Sequence, residues 1–197
     1  MVDTSKLSDE QLAAEAARES SDGPAFVALV ERFRQRVWQI CYRLLGNAED
    51  AADAAQEVFV RLFLQRDKFA GRSKYSTWVH GIAVRTCLSV RRGRGRRRRH
   101  EDVGTDAQWE SRQPGRADAP PGLSLDLARM LETLDEEDRA ILIMKYAQGC
   151  EYDELAAIFE ISVSACKMRI SRAREKLQAR FAEEQPESSP PQTKEER

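Results

Sequence analysis

The sequence predicts an all-α protein made of two small helical domains joined by a flexible linker. Three observations carry this. Apolar residues recur at steps of three and four along each long segment, which places them on one helical face. Capping residues, Gly and Pro fall at the breaks between those segments. One stretch, 100–122, holds Pro114, Gly115, Pro120, Pro121 and Gly122 with no period at all, and reads as a tether. With 197 residues, 33% of them Asp, Glu, Lys or Arg, the chain suits several small helical units better than one thick core.

Residues 1–21 are expected to form an N-terminal extension, frayed over 1–6, with one short helix. Ser8-Asp9-Glu10-Gln11 is a capping box, and the helix should reach about Arg18. Ser20-Ser21-Asp22-Gly23 breaks it, and Pro24 suits the first turn of the next helix. The first domain, 22–99, opens with a long amphipathic helix from Phe26 to Leu45, striped by Leu29, Phe33, Val37, Ile40 and Leu44 and ended by Gly46. Asn47 caps a second helix over Ala48–Leu64, with Glu49 and Asp50 where the macrodipole favours negative charge. Ala51, Ala55, Val58, Phe59, Leu62 and Phe63 form its apolar face. Opposite lies an acidic ridge of Glu49, Asp50, Asp53, Gln56 and Glu57, which composition alone reads as a solvated face.

The stretch 65–99 changes the charge balance. It holds twelve Lys or Arg against the single Asp67, about +11 in a chain whose net charge is −1. A basic-aromatic loop comes first, from Arg66 through Phe69, Arg72, Ser73, Lys74 and Tyr75 to Trp78. A helical apolar stretch, Val79 to Val90, follows and ends in the run Arg91–Arg99. Clustered positive charge attracts phosphate, and released counterions favour nucleic-acid binding. Rings set among cations suit unstacked bases, at roughly 1–3 kcal/mol per base. Trp78 shares a helical face with Ile82 and Arg85, so core packing is the competing role for its ring.

The second domain, 123–182, begins with a short helix over Leu125–Leu134. Asp135-Glu136-Glu137-Asp138 supplies an acidic start for another, carrying Ala140, Ile141, Ile143, Met144 and Tyr146 and ended by Gly149. A helix-turn-helix pattern follows: Tyr152–Phe159, a tight turn at Glu160-Ile161-Ser162, and a helix from Val163 to about Ala182 capped by Ser162. Its inward stripe is Val163, Cys166, Ile170, Ala173 and Leu177. Its outward side, with Ser164, Lys167, Met168, Ser171, Arg172 and Glu175, suits a DNA major groove, where cations reach guanine acceptors and phosphates. Residues 183–197 are polar and Pro-rich, and are expected to be disordered.

Other functions find little support. Cys41, Cys87, Cys150 and Cys166 show no metal-ligand spacing, so no metal or cofactor is expected. Scattered cysteines and no evident signal peptide point to the cytoplasm, and no apolar run approaches a membrane span. No GxxxxGK[ST], HExxH or GxSxG occurs, which argues against an enzyme.

Two separate motif sets, in order, resemble one family. Arg43-Leu44-Leu45-Gly46-Asn47-Ala48-Glu49-Asp50 through Gln56-Glu57-Val58-Phe59, continued by Tyr75-Ser76-Thr77-Trp78-Val79-His80-Gly81-Ile82-Ala83, resembles region two of the extracytoplasmic-function sigma factors of bacterial RNA polymerase. Tyr152–Phe159 and Lys167–Arg174 resemble region four. The resemblance implies that Asp50, Asp53, Gln56 and Glu57 dock on the clamp helices of the polymerase largest subunit, with a further contact to the flap of the second-largest subunit. It implies that Phe69, Arg72, Ser73, Lys74, Tyr75, Trp78 and Arg85 serve the minus-ten element, the loop Phe69–Tyr75 capturing a flipped base and the helix from Ser76 helping to open the duplex. Ser164, Lys167, Met168, Ser171 and Arg172 would read the minus-thirty-five element, and Arg91, Arg92, Arg169 and Arg174 would contact phosphates. The linker would thread polymerase channels. Promoter DNA, double- and single-stranded, and an anti-sigma factor are the other implied partners.

Three positions depart from the family pattern. Arg85 and Ser89 stand where region two usually has Asn and then Asp, and Glu160 stands where the helix-turn-helix turn usually has Gly. A stand-alone helix-turn-helix regulator, its N-terminal helices serving dimerisation or sensing, is the alternative. The acidic ridge discriminates, since a repressor has no reason to place one beside a base-stacking loop.

Overall fold

The structure, a computed structural model, describes residues 4–19, 23–101 and 125–184. The described residues are helical and loop, with no strand among them. Most of the expected linker, 102–122, and of the tail, 185–197, lies outside the described residues.

Helix α1 (Asp9–Ala16) is started by the predicted capping box: the Ser8 hydroxyl accepts the Gln11 N–H at 3.2 Å, and the Gln11 side chain accepts the Ser8 N–H at 2.8 Å. It is no appendage. Leu12, Ala13 and Ala16 are buried, and the helix packs on α2 (Pro24–Leu45) and α4 (Tyr75–Glu101). Glu10 reaches across to accept the Tyr75 backbone N–H at 3.1 Å, a bond that holds its carboxyl below the usual range. Short, Ala-rich helices are marginal alone, so this tertiary seat stabilises α1.

Gly46, at φ 73, ends α2, and Asn47 caps α3 (Ala48–Leu64) by accepting the Asp50 N–H at 3.1 Å. Helices α2, α3 and α4 form the bundle of the first unit, with Val37, Ile40, Val58, Leu62, Val79 and Val84 fully buried.

Helix α4 corrects the expected limits of Val79–Val90. It begins one turn earlier, at Tyr75, and its backbone continues through the arginine run to Glu101. Arginine is a good helix former, and here it outweighs the roughly 1 kcal/mol that each of Gly93 and Gly95 costs. The loop proper is thereby shortened to Phe69–Lys74, after a 3-10 turn at Arg66–Lys68.

The second unit comprises α5 (Leu125–Glu132), α6 (Glu136–Leu142) continued by a π-helical turn at Ile143–Ala147, α7 (Tyr152–Phe159) and α8 (Val163–Glu184). Gly149, at φ 71, reverses the chain before α7. Ser162 caps α8 by accepting the Ala165 N–H at 3.1 Å.

The two units pack on one another, with α7 lying against α4 in one continuous apolar core. Polar bonds fix the seam. Buried Arg139 donates to the Leu44 carbonyl at 2.8 Å, and Arg43 donates to the Ala147 carbonyl at 2.7 Å. His80 Nδ1 faces the Cys150 thiol at 3.9 Å. No helix of the described residues is long and apolar enough to cross a membrane.

Candidate nucleic-acid interface

The basic-aromatic loop and the start of α4 enclose a cleft of about 360 Å³. Its walls include Lys68, Phe69, Arg72, Ser73, Trp78, Gly81 and Arg85. The Phe69 and Trp78 rings are 5.6 Å apart at 48°, half-buried beneath the cations. A flat base between loop and helix would meet these rings, and Arg72 and Lys74 of the same loop are exposed.

Tyr75 departs from its expected role in stacking on a base. Its ring is only 3% exposed, edge-on to Phe69 at 5.1 Å and to Phe33 at 5.6 Å. Burial pushes its hydroxyl pKa up. The physical reason is that Tyr75 is the first residue of α4 and points into the bundle between α2 and the loop. It supports Phe69 and Trp78 from beneath, within 5.5 Å of the Trp78 ring.

On the second unit, α8 exposes Ser164, Lys167, Met168, Ser171, Arg172 and Arg174. Lys167 lies over the Tyr152 ring at 5.4 Å, and the Ser171 hydroxyl donates to Glu175 at 2.9 Å. Arg169, expected to contact phosphate, is held within the unit. It bridges Asp138 at 2.7 Å and Glu137 at 2.8 Å, bracing α8 against α6. Burial opposes charge on Asp138, but its bonds to Arg169 and Lys176 prevail and hold its carboxyl low.

On α3, Asp53, Gln56 and Glu57 are exposed, Glu57 pairing with Arg61 at 2.7 Å, and Asp50 is half-buried. The same face continues to Val60, 52% exposed, and Leu64, 65% exposed. Acid at one end and bare aliphatics at the other make a surface suited to a protein partner.

The sequence pattern of Sigma-70 region 2 matches residues 29–97, and that of Sigma-70, region 4 matches 124–177. The ECF RNA polymerase sigma factor SigW of Bacillus subtilis is 32% identical over 167 residues, covering 79% of this chain and 88% of the relative. The chain belongs to the extracytoplasmic-function group of sigma factors. The ECF RNA polymerase sigma-E factor of Escherichia coli K12 is similar at 32% over 170 residues, 81% of this chain and 87% of the relative. Among solved structures, CnrH in complex with the cytosolic domain of CnrY superposes with a TM-score of 0.64 at 24% identity, over 90% of this chain and 99% of that one. The sigma factor RpoE in complex with the anti-sigma factor NepR from Bartonella quintana gives 0.60 at 23% identity, over 81% and 98%. These two likenesses concern the fold.

In this sigma factor the cleft has walls that sequence reasoning missed, Ala157 and Glu160 of the second unit. Val60 and Leu64 were missed too, because they fall outside the period of the buried face of α3. Arg91 donates to the Leu44 carbonyl at 3.2 Å and lies 3.5 Å from Glu136, while Arg92 pairs with Glu137 at 2.7 Å, so neither faces open solvent alone.

Proposed function

We propose that this sigma factor binds core RNA polymerase, directs initiation at promoters through minus-ten and minus-thirty-five elements, and assists melting. It works in the cytoplasm as a specificity subunit and not as an enzyme. The observation that carries this reading is one unit, α1–α4, bearing both an exposed acidic-aliphatic ridge on α3 and a cleft of cations over Phe69 and Trp78. The ridge is assigned to polymerase and the cleft to an unpaired minus-ten base. The exposed face of α8 is assigned to the minus-thirty-five element. CnrH and RpoE were solved with CnrY and the anti-sigma factor NepR, which supports a protein antagonist for this chain as well.

The test is run-off transcription with purified core polymerase on promoters selected from genomic fragments. Trp78→Ala should lower open-complex formation roughly 5- to 150-fold, the loss of one base stack, while leaving core binding intact. Transcription that persists at full level with Trp78→Ala would remove the cleft from the mechanism.

Arg172→Ala should cost roughly 1–3 kcal/mol of discrimination at one base of the minus-thirty-five element. Arg169→Gln should instead lower the thermal stability of the chain with little change in base preference. Competition binding against single-base variants of the element separates the two outcomes.

A further inference from the structure

Four cations assigned to nucleic acid share one property: each is occupied by a carboxylate of the second unit. Lys74 meets Glu154 at 3.3 Å, Arg85 meets Glu160 at 3.1 Å, Arg91 meets Glu136 at 3.5 Å and Arg92 meets Glu137 at 2.7 Å. The Arg85–Glu160 pair lies in the cleft itself, where Glu160 and Ala157 line the same space as Phe69 and Trp78, and Lys74 follows the cleft residue Ser73 in the chain.

The Arg85–Glu160 pair joins two of the positions that depart from the family pattern. Glu160 sits at φ 56, ψ 39, the left-handed conformation in which glycine is unstrained and other residues are not. The chain thus keeps a carboxylate where the backbone favours Gly. Arg85, for its part, folds back over Gly81. A Cβ at Gly81 would lie 3.2 and 3.3 Å from the two terminal guanidinium nitrogens, so a bare helix surface gives the guanidinium its path. Glu154 is held by a second task, accepting the Glu151 N–H at 3.0 Å to cap α7, a bond that with Lys74 keeps its carboxyl ionised to low pH.

We propose that the second unit is an intramolecular stand-in for nucleic acid: its carboxylates occupy the cations of the minus-ten cleft, so the free protein is closed and opens only when the two units part. The inference rests on the reading of the cleft as the minus-ten site. The pairs are partly exposed, with the Arg85 side chain at 45% and that of Glu160 at 76%. Such pairs are individually weak and exchange readily for phosphate, which suits a latch rather than a lock. The buried seam around Arg139, His80 and Cys150 supplies the rest of the closure.

The experiment uses the full chain carrying a donor and an acceptor dye at cysteines introduced at exposed Val60 and Phe181. Glu154→Gln/Glu160→Gln keeps the α7 cap and removes two latch charges. It should lower the closed-to-open ratio roughly 2- to 20-fold, seen as lost energy transfer, because each exposed pair is worth a factor of about one to five. Affinity for a fluorescent single-stranded minus-ten-like oligonucleotide should rise in step, as the closed population no longer competes. Glu160→Gly relieves the backbone strain yet loses the pair, so it should open the protein as Glu160→Gln does. The charge-matched control Asp135→Asn/Asp153→Asn, on exposed acids of the second unit outside the latch, should leave both readings at the wild-type value.

Unchanged energy transfer in Glu154→Gln/Glu160→Gln overturns the latch. An equal gain of affinity in the control overturns it as well, reducing the effect to net charge. Energy transfer lost without any gain in oligonucleotide affinity keeps the closure but overturns the assignment of the cleft.

Discussion

Reversing Asp53 and Glu57 to lysine is expected to weaken holoenzyme assembly roughly 10²- to 10⁴-fold, by replacing attraction to a basic partner with like-charge contact. Both residues are exposed on the middle of α3, far from its capped N-terminus, so the helix itself should be little affected. Among the described residues the pair that is lost, Glu57 to Arg61, is an i,i+4 pair worth about 0.3–0.5 kcal/mol. Core polymerase titrated against labelled protein reads the change, and circular dichroism checks the fold. The neighbouring Leu64→Ser should also weaken assembly, but without the salt dependence of the charge reversals. Affinity that survives both changes would mean that α3 faces water in the holoenzyme.

Acidification is expected to remove about 3 kcal/mol of stability between pH 6.5 and 4, through His80. Its ring is 7% exposed, and burial, reinforced by Arg36 and partly offset by Glu154, pushes its pKa down from 6.5 to about 4. The folded protein therefore holds His80 neutral while the unfolded chain takes up a proton. By linkage the stabilisation is complete above pH 6.5 and drains away as pH falls toward 4, with no further loss from this group below that. Glu10, Glu154 and Asp138 also titrate low in the fold, but their windows open around the ordinary carboxylate values of 4.5 and 3.8. The interval from pH 6.5 down to about one unit above those values therefore reports chiefly on His80. Urea midpoints across that interval should slope in the wild type and flatten in His80→Gln. Because His80 faces Cys150 across the seam, acid should also favour separation of the two units.

Much of this was legible in the chain because the signals are local. The capping box at Ser8–Gln11, the Gly46–Asn47 break, the turn at Glu160–Ser162 and the exposed side of α8 each depend on residues within one or two helical turns. What the sequence did not reveal depends on distant partners. Tyr75 reads as a loop aromatic among cations, and only the approach of Phe33 and Glu10 makes it a core residue. Arg169 reads as one more cation on a DNA-facing helix until Glu137 and Asp138 of α6 close on it. The closed seam between the units was hidden for the same reason: Lys74 and Glu154 stand eighty residues apart, and no periodicity links them.

Permanganate footprinting of a promoter fragment, with core polymerase and this protein together, tests the central claim most directly. Thymines of the minus-ten element should become reactive only when both are present. Reactivity should vanish with Asp53→Lys/Glu57→Lys and fall sharply with Trp78→Ala. Reactive thymines that appear with neither polymerase nor an intact α3 ridge, or that are untouched by loss of Trp78, would contradict it.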